Sequence, residues 1–243
     1  MEINDIQLKK RFCELSSRAE AGGYAVYSDF LTLAEQDVLS QTSLRYELVG
    51  GYGNAERRLA VFGETWGAPP PAVWLAIEPL SQRFADALTH RDCLGSVVGL
   101  GLHREVLGDI IVHENRGFLY CLDTVAPFIC ENLTQVKRTA VRVTAVDSPP
   151  DVSTSLPEKS FFVVSSERLD AVVAAVFDLS RAESQRFFDR ELVFVNSRLA
   201  RKPEASPRVG DVISVRSCGR FIYEGIERET KKGRLRVAVR VFH

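Results

Sequence analysis

Two arginines stand at the starts of predicted helices: Arg168 in Arg168-Leu169-Asp170, and Arg181 in Leu179-Ser180-Arg181-Ala182. A helix N-terminus presents backbone N–H groups and the positive end of the helix dipole, which suits an anion and penalises a cation. Arginine at that position twice is explained by a bound anion, above all phosphate, to which the planar guanidinium donates a two-pronged grip. If the two helix starts lie side by side, they form one phosphate-binding ledge. Asp170 reads as a structural partner of Arg168 or as a cap. Further candidates for contact with a phosphate-bearing ligand follow along the chain: Ser180, Gln185, Arg186, Asn196, Arg198, Arg201, Lys202, Arg216, Arg220, Lys231 and Lys232. Each phosphate neutralised adds about -0.7 to the log–log salt slope for a single strand.

Arg57, Arg58, His90, Arg91 and Arg104 form a second, separate candidate contact for nucleic acid. Arg116-Gly117-Phe118-Leu119-Tyr120 partly resembles the aromatic strand of RNA-recognition plaits, in which Phe118 and Tyr120 would stack bases. The fit fails at Leu119 and Asp123, so a hairpin with one packed aromatic face is the favoured reading. Enzyme motifs do not hold together. His90-Arg91-Asp92 imitates a kinase catalytic loop, yet Val97 stands where the asparagine belongs. Gly99-x-Gly101 has Arg104 in place of its third glycine. Ser180 has no base at motif spacing, and the four histidines are dispersed. The five cysteines (Cys13, Cys93, Cys121, Cys130 and Cys218) include no CxxC pair, so they read as buried, reduced thiols. No catalytic residue, metal site or cofactor is expected.

The elements that position these residues fall into segments. The 243 residues carry a formal net charge of -1, which averages two unlike parts. Residues 1–150 hold 14 Lys and Arg against 19 Asp and Glu, residues 151–243 hold 17 against 13, and residues 196–243 alone hold 12 against 5. A basic C-terminal part on an acidic body points to nucleic-acid contact. Residues 148–159, rich in Pro and Ser, read as a linker. Residues 1–68 read as a helical N-terminal subdomain. Ile3, Ile6, Leu8, Phe12 and Leu15 share a helix face, Thr32 and Glu35 form a capping box, and a short helix starts near Asn54. Residues 69–147 read as βαββαβ, a ferredoxin-like plait with Thr89 capping its first helix. Residues 160–243 give a strand, two short helices and a run of β-hairpins. The fold class is α+β. No apolar run approaches the roughly 20 residues of a membrane span, and the N-terminal residues show no signal or transit peptide.

The C-terminal segment resembles the S-four RNA-binding domain and its αL motif. The residues carrying this are Arg168-Leu169-Asp170, Leu179-Ser180-Arg181-Ala182, Val193-Phe194-Val195-Asn196, Lys202-Pro203 and Gly210-Asp211-Val212-Ile213. Several stretches resemble the signatures of the YlmH family: Gly50-Gly51-Tyr52, Ala55-Glu56-Arg57-Arg58, residues 88–95, residues 99–110 and residues 229–234. The resemblance spans nearly the whole chain. It implies a non-catalytic, ribosome-associated RNA-binding protein that contacts rRNA and tRNA on the large subunit during rescue or quality control of stalled translation. It also implies a cytoplasmic or plastid location and a monomer off the ribosome. Two departures are visible: Glu191 stands where the αL motif usually has Gly, and Ser197 follows Asn196 where Gly or Trp is common. One alternative is an RNA-modifying enzyme, because pseudouridine synthases carry Arg-Leu-Asp. Only 73 residues follow Asp170, however, and they read as the rest of the RNA-binding module. The other alternative is an interaction factor associated with cell division.

Overall fold

In the computed structural model, residues 3–150 and 156–242 are described; the centre of the expected linker, residues 151–155, and the side chain of Ile3 lie outside them. The chain divides into two units, Met1–Ser155 and Leu156–His243.

The first unit begins with α1 (Ile3–Gly22), whose inward face is Leu8, Phe12, Leu15 and Ala19, while Ile6 lies on the exposed side. β1 (Val26–Leu31) leads into α2 (Leu33–Ser40), opened by the Thr32–Glu35 capping box. β2 (Glu47–Val49) and β3 (Arg58–Phe62) complete a three-stranded antiparallel sheet in the order β1-β3-β2. The N-terminal segment is therefore helix and sheet together, and the short helix expected near Asn54 is instead the approach to β3. The reason lies in how β3 is buried. Ala60 and Phe62 face α1 and α2, Leu59 faces the next sheet, and Leu59 through Phe62 are all buried. A strand covered on both sides loses the polar–apolar alternation that would announce it.

The plait follows: β4 (Ala72–Pro79), α3 (His90–Gly99), β5 (Leu107–His113), β6 (Arg116–Leu122), α4 (Ala126–Asn132), a two-residue β7 (Gln135–Val136) and β8 (Thr139–Val146). The strand order β5-β6-β4-β8-β7 is antiparallel throughout, the arrangement of a ferredoxin-like plait with one short added strand. Thr89 and Asp92 form a capping box that starts α3. Glu114 and Asn115 both have positive φ, giving the two-residue β5–β6 hairpin its primed turn. Cys93, Val97, Ala126 and Ile129 from α3 and α4 pack on one face of this sheet. Phe30 and Leu59 of the three-stranded sheet pack on the other, against Trp74, Phe118 and Tyr120. The unit is thus layered helix, sheet, sheet, helix.

The second unit has β9 (Lys159–Val164), α5 (Leu169–Val176), α6 (Arg181–Asp189), β10 (Val193–Val195), β11 (Arg198–Leu199), β12 (Val212–Val215), β13 (Gly219–Glu229) and β14 (Leu235–Phe242). Its six strands run in the order β11-β10-β12-β13-β14-β9. Val172, Val173 and Phe188 of the two helices pack on Ile213, Phe221, Tyr223 and Val237. The fully buried Ser184 of α6 donates to the Asp170 carbonyl of α5 (2.9 Å), fixing how the helices meet. Among the described residues no helix is long and apolar enough to cross a membrane, and no cluster of three or more His, Cys, Asp or Glu could hold a metal ion. Cys93 and Cys121 are buried, but Cys13 is exposed, a correction to the expectation of uniformly buried thiols.

Candidate nucleic-acid interface

The starts of α5 and α6 line a common cleft of about 170 Å³, bounded by Ser166, Arg168, Asp170, Ala171 and Arg181. Arg168 is the N-cap residue of α5, and its guanidinium is held by both oxygens of Asp170 (3.0 and 2.9 Å). Asp170 also accepts the Ala171 N–H (2.9 Å), so it fixes the arginine and the helix start together. This hydrogen bonding pushes the Arg168 pKa further up. Arg181, the first residue of α6, reaches the Ser165 hydroxyl (2.7 Å) and is exposed. Ser180 spends its hydroxyl on capping: it accepts the Glu183 N–H (3.2 Å) while the Glu183 carboxylate accepts the Ser180 N–H (2.8 Å).

The first amides of α5 are not presented to a ligand. Leu169 N–H donates to Ala205 O (2.8 Å) and Asp170 N–H to Pro203 O (2.9 Å). These bonds dock the 203–205 loop on the helix start and carry the exposed Arg201 and Lys202 to the same place. At the start of α5 the cleft is therefore lined by side-chain cations rather than by open N–H groups. Lys231 and Lys232 sit in the β13–β14 turn. That turn extends from the sheet end where Leu235 pairs with Val164, the residue before Ser165.

Other expected contacts are placed elsewhere. Arg220 pairs across from Phe242, seven residues along β14 from Leu235, which is about 23 Å at the rise of a strand. Arg216 stacks over Phe194 at that same far end. Gln185 is tied to Asp189 (2.9 Å), and the exposed Arg186 lines a different cleft with Phe187, Arg190 and Leu192. Asn196 uses both ends of its amide inside the fold, donating to Asp211 (2.8 Å) and accepting the Val212 N–H (2.9 Å). With Ser197 it forms a two-residue turn, both at positive φ, that leads into the exposed Arg198. Asn196 thus shapes the tip instead of projecting from it.

The five residues of the second expected contact are not brought together. Arg57 is only 9% exposed; its Nε donates to Leu107 O (2.8 Å) and its Nη2 to Phe30 O (2.8 Å) and Arg104 O (2.9 Å). Beside it, Asp109 accepts from the Tyr52 hydroxyl and from the Glu56 and Arg57 N–H groups (3.0, 2.7 and 3.1 Å). Burial lowers the Arg57 pKa; burial and the neighbouring Arg57 bring Arg104 down to about 10. Arg58 bonds the Ala55 carbonyl (2.7 Å). These residues form a clasp that ties the loop before β3 to the start of β5. Gly51 belongs to it: an added Cβ would lie 2.4 Å from the Trp74 ring, so only glycine lets the loop lie flat there. His90 and Arg91 sit on the first turn of α3, near the other end of β5, where Asn115 accepts the Leu88 N–H (2.7 Å). Phe118 and Tyr120 are buried at 8% and 5% exposure, with Tyr120 5.0 Å from Trp74 and 5.6 Å from Phe30 between ring centroids. The packed reading of that hairpin is the one observed.

The clasp was hidden because its members are about 50 residues apart and each motif reads locally as a basic turn. The signal was the placement of glycines and Asp109 within the motifs.

Residues 76–149, the plait less its first residues, match the family model described as "Putative RNA-binding domain in YlmH". The chain is 33% identical over 221 residues to the ribosome-associated protein quality control protein P2 of Bacillus subtilis, covering 86% of this chain and 84% of that one. A solved structure, the cell division protein ylmH from Streptococcus pneumoniae, superposes with a TM-score of 0.47 at 19% identity, over 60% of this chain and 93% of that one. With one third of the aligned residues identical over most of both sequences, the chain belongs to the YlmH family.

Proposed function

We propose that the chain is a non-catalytic RNA-binding protein that grips structured rRNA or tRNA on the large ribosomal subunit, in rescue or quality control of stalled translation. The observation that carries this is the ledge at the starts of α5 and α6. There Arg168 and Arg181 line one cleft, and two backbone bonds dock the loop bearing Arg201 and Lys202 alongside. Four cations held on capped helix starts and a fastened loop are preorganised for successive phosphates, which spares the ordering cost of binding. The family membership and the relative's association with ribosomal quality control support the same reading.

Replacing Arg168 and Arg181 together by Ala weakens co-sedimentation with purified large subunits by roughly 1–3 kcal/mol. It also flattens the salt dependence by roughly 1.4 to 1.8 in log–log slope, two phosphates' worth between the single-strand and duplex limits. Co-sedimentation that matches the parent protein at every salt concentration removes the proposal.

A further inference from the structure

The six-stranded sheet of the second unit has two faces of different chemistry, and the strand register sorts them. Phe194, Ser214, Arg220 and Phe242 form one row across the sheet, and Val212, Ile222, Arg240 and Lys159 form the next row on that face. Ala238 with Phe161, then Arg228, Arg236 and Val163, continue it. The alternate rows hold Ile213, Phe221, Tyr223 and Val237, the residues under α5 and α6. Successive side chains of a strand point to opposite sides, so the first set projects from the face turned away from the helices.

On that outer face three rings each carry a guanidinium. Arg216 lies 4.9 Å from the Phe194 centroid, Arg220 4.4 Å from Phe242, and Arg236 4.4 Å from Phe161. Phe161 and Val163 remain 42% and 51% exposed. Among the described residues its cations are Lys159, Arg216, Arg220, Arg228, Arg236 and Arg240, and the carboxylates bonded to them are Glu224 and Glu227. Glu224 is bonded by Lys159 and Arg240, and Glu227 by Arg236. The face is therefore apolar and aromatic in part, cationic in excess, and held in place by its own ion pairs.

We propose that this outer sheet face is a stacking platform for an unpaired stretch of RNA, distinct from the ledge; the inference rests on the RNA-binding reading above. A guanidinium stacked on a ring keeps its outer π-face for a base, and that of Arg236 is held in its plane by Glu227. The rings on β10 and β14 are three strand spacings apart, about 14 Å, a span that a few unstacked nucleotides bridge. An acidic peptide would answer the charge but leave the exposed rings without flat partners.

The test uses the full chain with a fluorescent twelve-nucleotide oligouridylate and, in parallel, purified large subunits. Phe161→Leu keeps an apolar side chain without a ring, and Arg236→Lys keeps the charge without the plane. Each is expected to weaken oligouridylate binding about tenfold, the scale of one stacked base, and to leave subunit binding and the melting temperature unchanged. Oligouridylate binding that is unaltered in both variants overturns the platform and leaves the ledge standing. So does competition by polyglutamate as effective as by unlabelled oligouridylate, which would assign the face to an acidic protein. A parent protein that binds subunits but no oligouridylate sinks this inference alone, whereas one that binds neither sinks both.

Discussion

The plait sheet and the six-stranded sheet start from the same ingredients and end in opposite states. Each is antiparallel, has two helices on one face and carries aromatic residues on the other. In the plait, Phe30 and Leu59 cover the aromatic face, and Phe118 and Tyr120 become core. In the second unit Phe161 and Val163 remain open, and arginines lie over the rings. The arginines divide in the same way: Arg57 is turned inward onto three carbonyls, while Arg181 stands exposed at a helix start. Residue type states what a group could do, and what covers its face decides whether it does it. By this comparison Arg57 is spent on maintaining the fold, whereas Arg181, Arg201 and Lys202 are left exposed, and on the function proposed above it is these that meet RNA.

The sharpest way to break that division is Arg57→Ala. It strands the carbonyls of Phe30, Arg104 and Leu107 inside the clasp, and the loss of charge-assisted bonds there costs at least about 3 kcal/mol. Arg57→Lys does not restore it, because one ammonium lacks the fork that reaches three acceptors. Urea unfolding should show the loss, while the salt slope of RNA binding by the still-folded protein stays unchanged. Unaltered stability with weakened RNA binding would turn Arg57 into a contact and collapse the contrast.

What was legible in the sequence follows the range of the interactions. The starts of α2 and α3 could be read from Thr32–Glu35 and Thr89, because a cap closes within four residues; Ser180–Glu183 closes α6 in the same way. The plait's order could be read because its strands alternate or are bounded by turns. β1 and β3 could not, since both faces of β3 are covered by elements distant in sequence. At the interface the cations were legible, but not the Leu169 and Asp170 amides bonded by Ala205 and Pro203. That pairing depends on a loop more than 30 residues away, and it occupies amides that the start of α5 would otherwise leave open.

A smaller effect sharpens the comparison through pH. Burial pushes the Cys93 thiol up to about 11 and Cys121 to about 12, against an ordinary value near 9. A group whose folded pKa exceeds its unfolded one contributes stability that is complete below pH 9 and is lost as pH rises towards 11. The first unit should therefore lose about 1 kcal/mol per thiol by pH 10. In the second unit, burial and the Glu167 hydrogen bond (2.7 Å) raise Tyr223 above its ordinary value of 10, so its loss begins only beyond pH 10. Thermal melts between pH 8 and 10 should show the first unit weakening alone. Iodoacetamide at pH 8 should label Cys13 well before Cys93 or Cys121. Equal labelling of all three would mean that the plait core opens as readily as the surface.

The smallest expected effect lies at Glu191, where φ is +56° and the αL motif usually has glycine. A side chain in the left-handed region costs about 1 kcal/mol, and glycine relieves it. Glycine also adds freedom to the unfolded chain, which returns part of the gain, so Glu191→Gly should stabilise the second unit by about 0.5 kcal/mol. The substitution also removes the carboxylate next in sequence to Arg190, which lines a cleft with Arg186 and Glu183. If these arginines meet phosphate, RNA binding should tighten more than stability rises, and tighten most at low salt, where charge is least screened. Tightening without salt dependence would trace the effect to backbone relief alone. A destabilised variant would show that Glu191 makes a contact worth more than the strain it carries.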